Sequence, residues 1–332
     1  MRVFLFLVLF LNLAFGAVAE SVVHFDGRIT SAKVLENGVL VGLDNGKVVF
    51  KELKNVSENA TKTLIQLPPK REKFAFFGES AGAKVFSVDS AFGVVAFFYE
   101  RDNDNYKIGV IKNGKFKSFV LNEEDVEKAS VIAQSEGLRA KFGSARLLRE
   151  LFVADEKTLV GVTLGSEILF VDIESGRILQ THKLSIYGWQ DAVLDRKSET
   201  LVVANESGVA HFFDLKNRKF KFSRSLHKDL IYQIDLRGKA LLSGSADRSV
   251  LFENGELRWQ IKAGFAVKAV ALGERWAAFS AENAVVVLGL DGEVAHRLDY
   301  AGRSLEFLGW LDEATLIGAG FDDKLYVWRF EK

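Results

Sequence analysis

The sequence predicts an all-β fold, a seven-bladed β-propeller whose ring is closed by a strand from the beginning of the chain. Three observations predict it. A strand–turn–strand unit recurs about every 40 residues, the last unit stops one strand short, and a lone apolar strand precedes the first unit.

The repeating unit is clearest in the C-terminal half. It reads Thr158 to Ile173, Thr200 to Leu215, Ala240 to Gly255, Arg275 to Leu290 and Ala314 to Arg329. The leading apolar residues Leu159, Leu201, Leu241, Trp276 and Leu316 stand 42, 40, 35 and 40 residues apart. Two earlier copies run from Gly38 to Lys54 and from Val94 to Lys112, the second with a longer polar turn at Arg101 to Asn105. Strands rich in Val, Leu and Phe on both faces suit burial between neighbouring sheets. The Gly, Asn and Asp residues between them supply hairpin turns. One such sheet cannot bury both faces alone, so stability requires the closed ring.

Closure is legible at the two ends. Lys324 to Phe330 forms a third strand, and no fourth follows it. Ser21 to Phe25 is a strand with no unit of its own and can fill that outer edge, which removes two exposed edges. Two segments break the period. Residues 122–137 are expected to be a short helical insertion, carrying Val126, Ala129, Val131, Ile132 and Ala133 behind an acidic start. Residues 55–73 hold both prolines and are expected to form a long surface connection.

Residues 1–19 read as a signal peptide and 20–332 as the propeller. Met1-Arg2 is a positive start, Val3 to Phe15 is apolar but for Asn12, and Ala17-Val18-Ala19 is a small-x-small cleavage site. An apolar run of about 13 residues is short of the ~20 that span a bilayer. The 44 basic and 44 acidic residues balance, which argues against nucleic acid or a polybasic membrane surface as partner. The absence of cysteine excludes disulfides, thiolate metal sites and cysteine nucleophiles, and with the leader it points to a bacterial periplasm. In that compartment the Asn-x-Ser/Thr triplets at Asn55, Asn59 and Asn205 carry no glycans.

Ala240 to Gly255 resembles the WD40 consensus, and His227 stands where that family places its Gly-His histidine. The Trp-Asp that names the family is replaced by Trp328-Arg329, Val171-Asp172 and Phe213-Asp214, so its buried His/Ser/Asp/Trp network is expected to be incomplete in most blades. An exported, cysteine-free, degraded WD40-like chain of this length also resembles NapL, the accessory family of periplasmic nitrate reductase systems. That resemblance implies a non-catalytic accessory role in maturing or supporting a respiratory reductase, with a reductase subunit as partner; the chain itself is expected to be a monomer. Outer-membrane assembly and quinoprotein-like propellers are the other resemblance, carried only by Glu174-Ser-Gly-Arg-Ile-Leu-Gln.

No chemistry-bearing motif stands out. The histidines His24, His182, His211, His227 and His296 have no metal-ligand spacing, and there is no nucleophile elbow or phosphate loop. Asp44-Asn45-Gly46 and Asp322-Asp323 sit at turns, where such residues serve the backbone. The sequence therefore predicts no enzyme, no metal and no cofactor. The alternative is an enzyme or small-ligand binder using the central channel, which convergent acidic and histidine side chains there would favour. Propellers usually bind through the rim whose loops join the outer strand of one blade to the inner strand of the next. On those segments stand Arg28, Lys84, Arg146, Tyr187, Trp189, Lys228, Tyr232, Phe265, Lys268 and Arg303, residue types that favour a partly basic, aromatic contact surface.

Overall fold

A computed structural model describes residues 18–54, 60–69, 82–102, 105–121, 148–302 and 304–331. All 28 regular elements among them are strands, arranged as seven four-stranded antiparallel sheets. The innermost strands of blades one to seven are Ile29–Leu35, Val85–Ala91, Leu148–Val153, Trp189–Asp195, Ile231–Arg237, Val270–Leu272 and Phe307–Asp312. Blades one to six then step outward in chain order, and blade seven takes its outer strand from the start of the chain, so every blade presents one free edge to the channel and one to the outside.

The repeated strand–turn–strand units are the second and third strands of each blade. Their burial explains their composition: Gly38–Leu43, Thr158–Thr163 and Thr200–Asn205 are buried at every position. The core is a set of layers between blades. Val39, Val41 and Val49 of blade one meet Ile317, Leu325 and Val327 of blade seven, with Phe25 beside them. Each such side chain contributes roughly 1.5–3 kcal/mol on burial. Contact between blades is close enough to exclude a Cβ at Gly42, which would lie 2.5 Å from Val85 Cγ1 of the next blade.

Ring closure is as the sequence indicates. Val18–His24 pairs antiparallel with Lys324–Phe330 as the fourth strand of blade seven. The paired strand begins earlier than Ser21: Val18 pairs with Phe330 and Ala19 with Arg329, two residues ahead of the expected cut.

One expectation is corrected. Within residues 55–73, Thr61–Gln66 is the outer strand of blade one, paired with Lys47–Glu52. Its exposed polar character suits an edge that meets solvent, and so it reads as a loop. The expected insertion at 122–137 and the leader before residue 18 lie outside the described residues. The described residues hold no helix long and apolar enough to cross a membrane.

Blade five carries the polar network that its consensus-like sequence implies. His227 Nε2 lies 2.9 Å from Ser243 Oγ, and Nδ1 lies 3.2 Å from Asp247 Oδ2 and from Ser249 Oγ. Blade four substitutes Asn205, which donates to Ser185 and meets His211 at 3.0 Å.

Candidate functional site: one rim and the channel behind it

The rim residues are placed by a shared irregularity. The inner strands of blades one to five each carry a β-bulge at the same end, between Ile29 and Ser31, Val85 and Ser87, Leu148 and Glu150, Trp189 and Asp191, and Ile231 and Gln233. A bulge re-aims the extra side chain. Phe86, Tyr232 and their equivalents accordingly line the channel mouth.

The expected contact residues all fall on this one rim where they are described, in two sets. Lys84, Trp189, Tyr232 and Lys268 line the channel mouth. Lys84 Nζ sits over the Phe86 ring, and Lys268 Nζ pairs with Glu306 at 2.7 Å. Arg28, Tyr187, Lys228 and Phe265 are exposed farther out. Arg146 and Arg303 lie outside the described residues. Turn carboxylates hold the backbone at two of these positions: the Arg28 backbone N–H donates to Asp44 and the Lys228 backbone N–H to Asp247. Those contacts also account for Asp44 and Asp247 as turn residues.

The apolar side chains are the less expected part of the rim. Val120, Leu164, Ile186, Tyr187, Phe265 and Phe321 are large, exposed and on this rim, whereas only Phe92 and Leu257 are so placed in loops of the opposite rim, among the described residues. Ile186 is 75 % exposed. Leu164 and Tyr187 belong to adjoining loops tied together by Trp189 N–H to the Leu164 carbonyl, 2.7 Å, and Ser166 Oγ to the Tyr187 carbonyl, 2.9 Å. Phe321 has a readable signal, a large apolar residue inside the turn Gly320 to Asp323. Ile186 has none beyond its place next to Tyr187.

Behind the mouth lies a channel of about 620 Å³ walled by the inner strands. Glu150, Asp191 and Asp235 line it, with Lys33 among them and 5.5 Å from the Phe152 ring. Burial pushes the Glu150 carboxyl up to about 7, against the pull of Lys33. Burial, then the neighbouring Glu150 charge, raises Asp191 well above the usual carboxylate range, and burial takes Asp235 to about 6.

These carboxylates have structural work. The channel edge of an inner strand has backbone N–H groups with no strand to pair with, and buried N–H groups require partners. Polar side chains of the preceding blade supply them. Asp191 accepts from Ile234 at 2.8 Å, Asp235 from Leu272 at 2.7 Å, Gln233 from Val270 at 2.8 Å and Asp89 from Val153 at 2.7 Å. Ser87 Oγ accepts from Leu151 at 3.0 Å and lies 3.3 Å from Glu150. No histidine lines the channel, and no group of three metal-ligating side chains occurs among the described residues.

Comparison with known proteins gives the fold and stops there. No protein-family profile and no curated protein matches the chain. Among solved structures, a chain of the "Crystal Structure of Mitotic Checkpoint Complex" is similar, with a TM-score of 0.69 over 94% of this chain and 95% of that one, at 13% identity. The protein has the fold of a seven-bladed β-propeller.

Proposed function

We propose that this propeller is a non-catalytic interaction scaffold that holds another protein on the bulged rim. The observation that carries the reading is the number of exposed apolar side chains in that rim's loops, six against two in the opposite rim's loops, with Leu164, Ile186 and Tyr187 on adjoining loops. Exposed apolar patches rimmed by polar groups mark binding surfaces, and aromatic anchors dominate interface energies. The commitment of the channel carboxylates to inter-blade hydrogen bonds supports a structural rather than a catalytic role for that cluster.

The finer reading rests on the sequence. The leader and the lack of cysteine support a periplasmic location, and the resemblance to NapL supports a role as accessory or maturation factor for a respiratory reductase such as periplasmic nitrate reductase. Affinity capture from periplasm with the full chain tests both levels. A reductase subunit captured by the wild type and lost with Ile186→Asp, Tyr187→Ala and Phe265→Ala combined is the expected result. Equal capture by that triple variant refutes the rim. A co-purifying metabolite, with no protein captured, favours a ligand-binding channel instead.

A further inference from the structure

The outer strand of blade four, Lys219–Ser225, differs from its six counterparts. It is exposed at all seven positions, which none of the other outer strands is among the described residues. It pairs only with Val209–Asp214, so its outer edge presents unpaired backbone groups. The chain is charge-balanced overall, yet residues 216–225 hold Lys216, Arg218, Lys219, Lys221 and Arg224 with no carboxylate. Phe220 and Phe222 alternate with these cations and are 51% and 38% exposed.

A similar Lys-Phe-Lys run in blade two shows what an internally satisfied version looks like. There Lys117 donates to the Glu174 carbonyl, Lys112 donates to the Glu156 carbonyl at 2.9 Å, and Phe116 stacks on Phe97. In blade four the arginines and Phe222 are used in this way, Phe222 stacking on Phe212 at 4.5 Å with Arg224 over its ring, while the lysines are not. Arg224 pairs with Glu253, and Arg218 lies over the Phe170 ring at 4.6 Å. The ammonium groups of Lys216, Lys219 and Lys221 form no ion pair or hydrogen bond among the described residues, Lys221 acting on Asp214 only at longer range.

Exposed edges are normally blunted by lysines, and here the lysines are interleaved with exposed phenylalanines. We infer that this edge receives an extended acidic segment of a partner protein, which adds a fifth strand to blade four. Its main chain pairs with Lys219–Ser225, its carboxylates meet Lys219 and Lys221, and its apolar side chains lie along Phe222 on one face or Phe220 on the other, the two rings being turned to opposite faces by a bulge opposite Phe212 and Phe213. Strand addition of this kind takes affinity from main-chain hydrogen bonds and specificity from alternate side chains. An anionic membrane surface fits less well, because successive side chains of a strand point to opposite faces, and a plane meets only one of them. The site lies on the side of the ring and is separate from the rim.

A fluorescein-labelled peptide alternating glutamate and valine is the probe, titrated into the full chain at low salt and followed by anisotropy. Binding is expected, with loss for the lysine–valine counterpart and for a peptide with proline in place of valine, which lacks the amide donors. Lys219→Glu with Lys221→Glu is expected to weaken it about tenfold, and Phe220→Ser, which keeps the charges, to weaken it less. The rim triple variant should bind the peptide as the wild type does, so failure here leaves the rim reading standing. Equal binding of the proline peptide, or unchanged binding by the lysine variants, overturns strand addition. So does pelleting with phosphatidylglycerol vesicles that depends on Lys219 and Lys221 while the peptide fails to bind.

Discussion

Two single residues make the physics of this chain measurable. Phe92-Gly93 and Asn113-Gly114 are tight turns in the same blade with the same backbone angles, φ 52° then 71°. Asn tolerates that left-handed conformation, whereas a bulky ring there is strained. Phe92 is also 52% exposed, so its ring gains little from burial. Phe92→Asn is expected to stabilise the protein by about 0.5–1.5 kcal/mol, read as a higher urea midpoint at unchanged slope. The second residue is Glu150, whose carboxyl is raised from 4.5 to about 7. Because the folded form holds the proton more tightly, Glu150 contributes stability that is complete below about pH 4.5 and lost as pH rises through about 7. Glu150→Gln keeps the acceptor for Ser87 and removes the titration. The variant should gain on the wild type between pH 5 and 8, by on the order of 1–3 kcal/mol. The lowered His211, His227 and His296 slope the other way, but they do so in both proteins and cancel in the difference. A variant that tracks the wild type at every pH would place the charge of Glu150 in water.

At the scale of elements, the closing strand is the one to test. It pairs through seven residues, of which Glu20 to His24 remain if the chain is cut after Ala19. A chain starting at Glu20 should therefore melt within a few degrees of the uncut form. Starting it at Asp26 removes the whole strand and Phe25, which is buried between blades one and seven. That leaves the Lys324–Phe330 edge open, and a lower melting temperature with light scattering at the transition is expected. Equal melting of all three would mean the strand contributes nothing. This element was legible in the sequence because a missing strand at one end and a spare one at the other are facts about the chain's order. The outer strand Thr61–Gln66 was not, since an outer strand meets solvent and its Thr, Lys and Gln carry no burial pattern. The site divides the same way. The position of the rim segments follows from the repeat, so Tyr187, Trp189, Tyr232 and Phe265 could be aligned from sequence. The role of Asp191 and Asp235 could not, because it depends on which amides the next blade leaves unpaired across the channel.

The whole molecule is a ring in which each inner strand is stapled to the next, and this bears on how it unfolds. Asp89 is the staple that reaches two further blades. It is fully buried, accepts from Val153 of blade three at 2.7 Å, and pairs with Arg196 of blade four. Arg196 in turn donates to the Val153 carbonyl, so one carboxylate joins blades two, three and four. Asp89→Ala leaves a buried N–H unpaired and a partly buried guanidinium without its counter-charge, a loss of about 2–4 kcal/mol. The five tryptophans report on where that loss is felt, because Trp189, Trp259, Trp276, Trp310 and Trp328 all lie in blades four to seven. If a closed ring cannot keep some blades folded once others open, tryptophan fluorescence and far-ultraviolet circular dichroism should shift together in Asp89→Ala, with one midpoint. An open array would behave otherwise, its fluorescence holding near the wild-type midpoint while the dichroism lost the signal of blades two and three first. Coincident curves at a lowered midpoint are expected, and Arg196→Ala, which strands the buried Asp89 carboxylate without its counter-charge, should lower the midpoint as well. Separated curves would show that the ring's closure does not bind the blades into one cooperative unit.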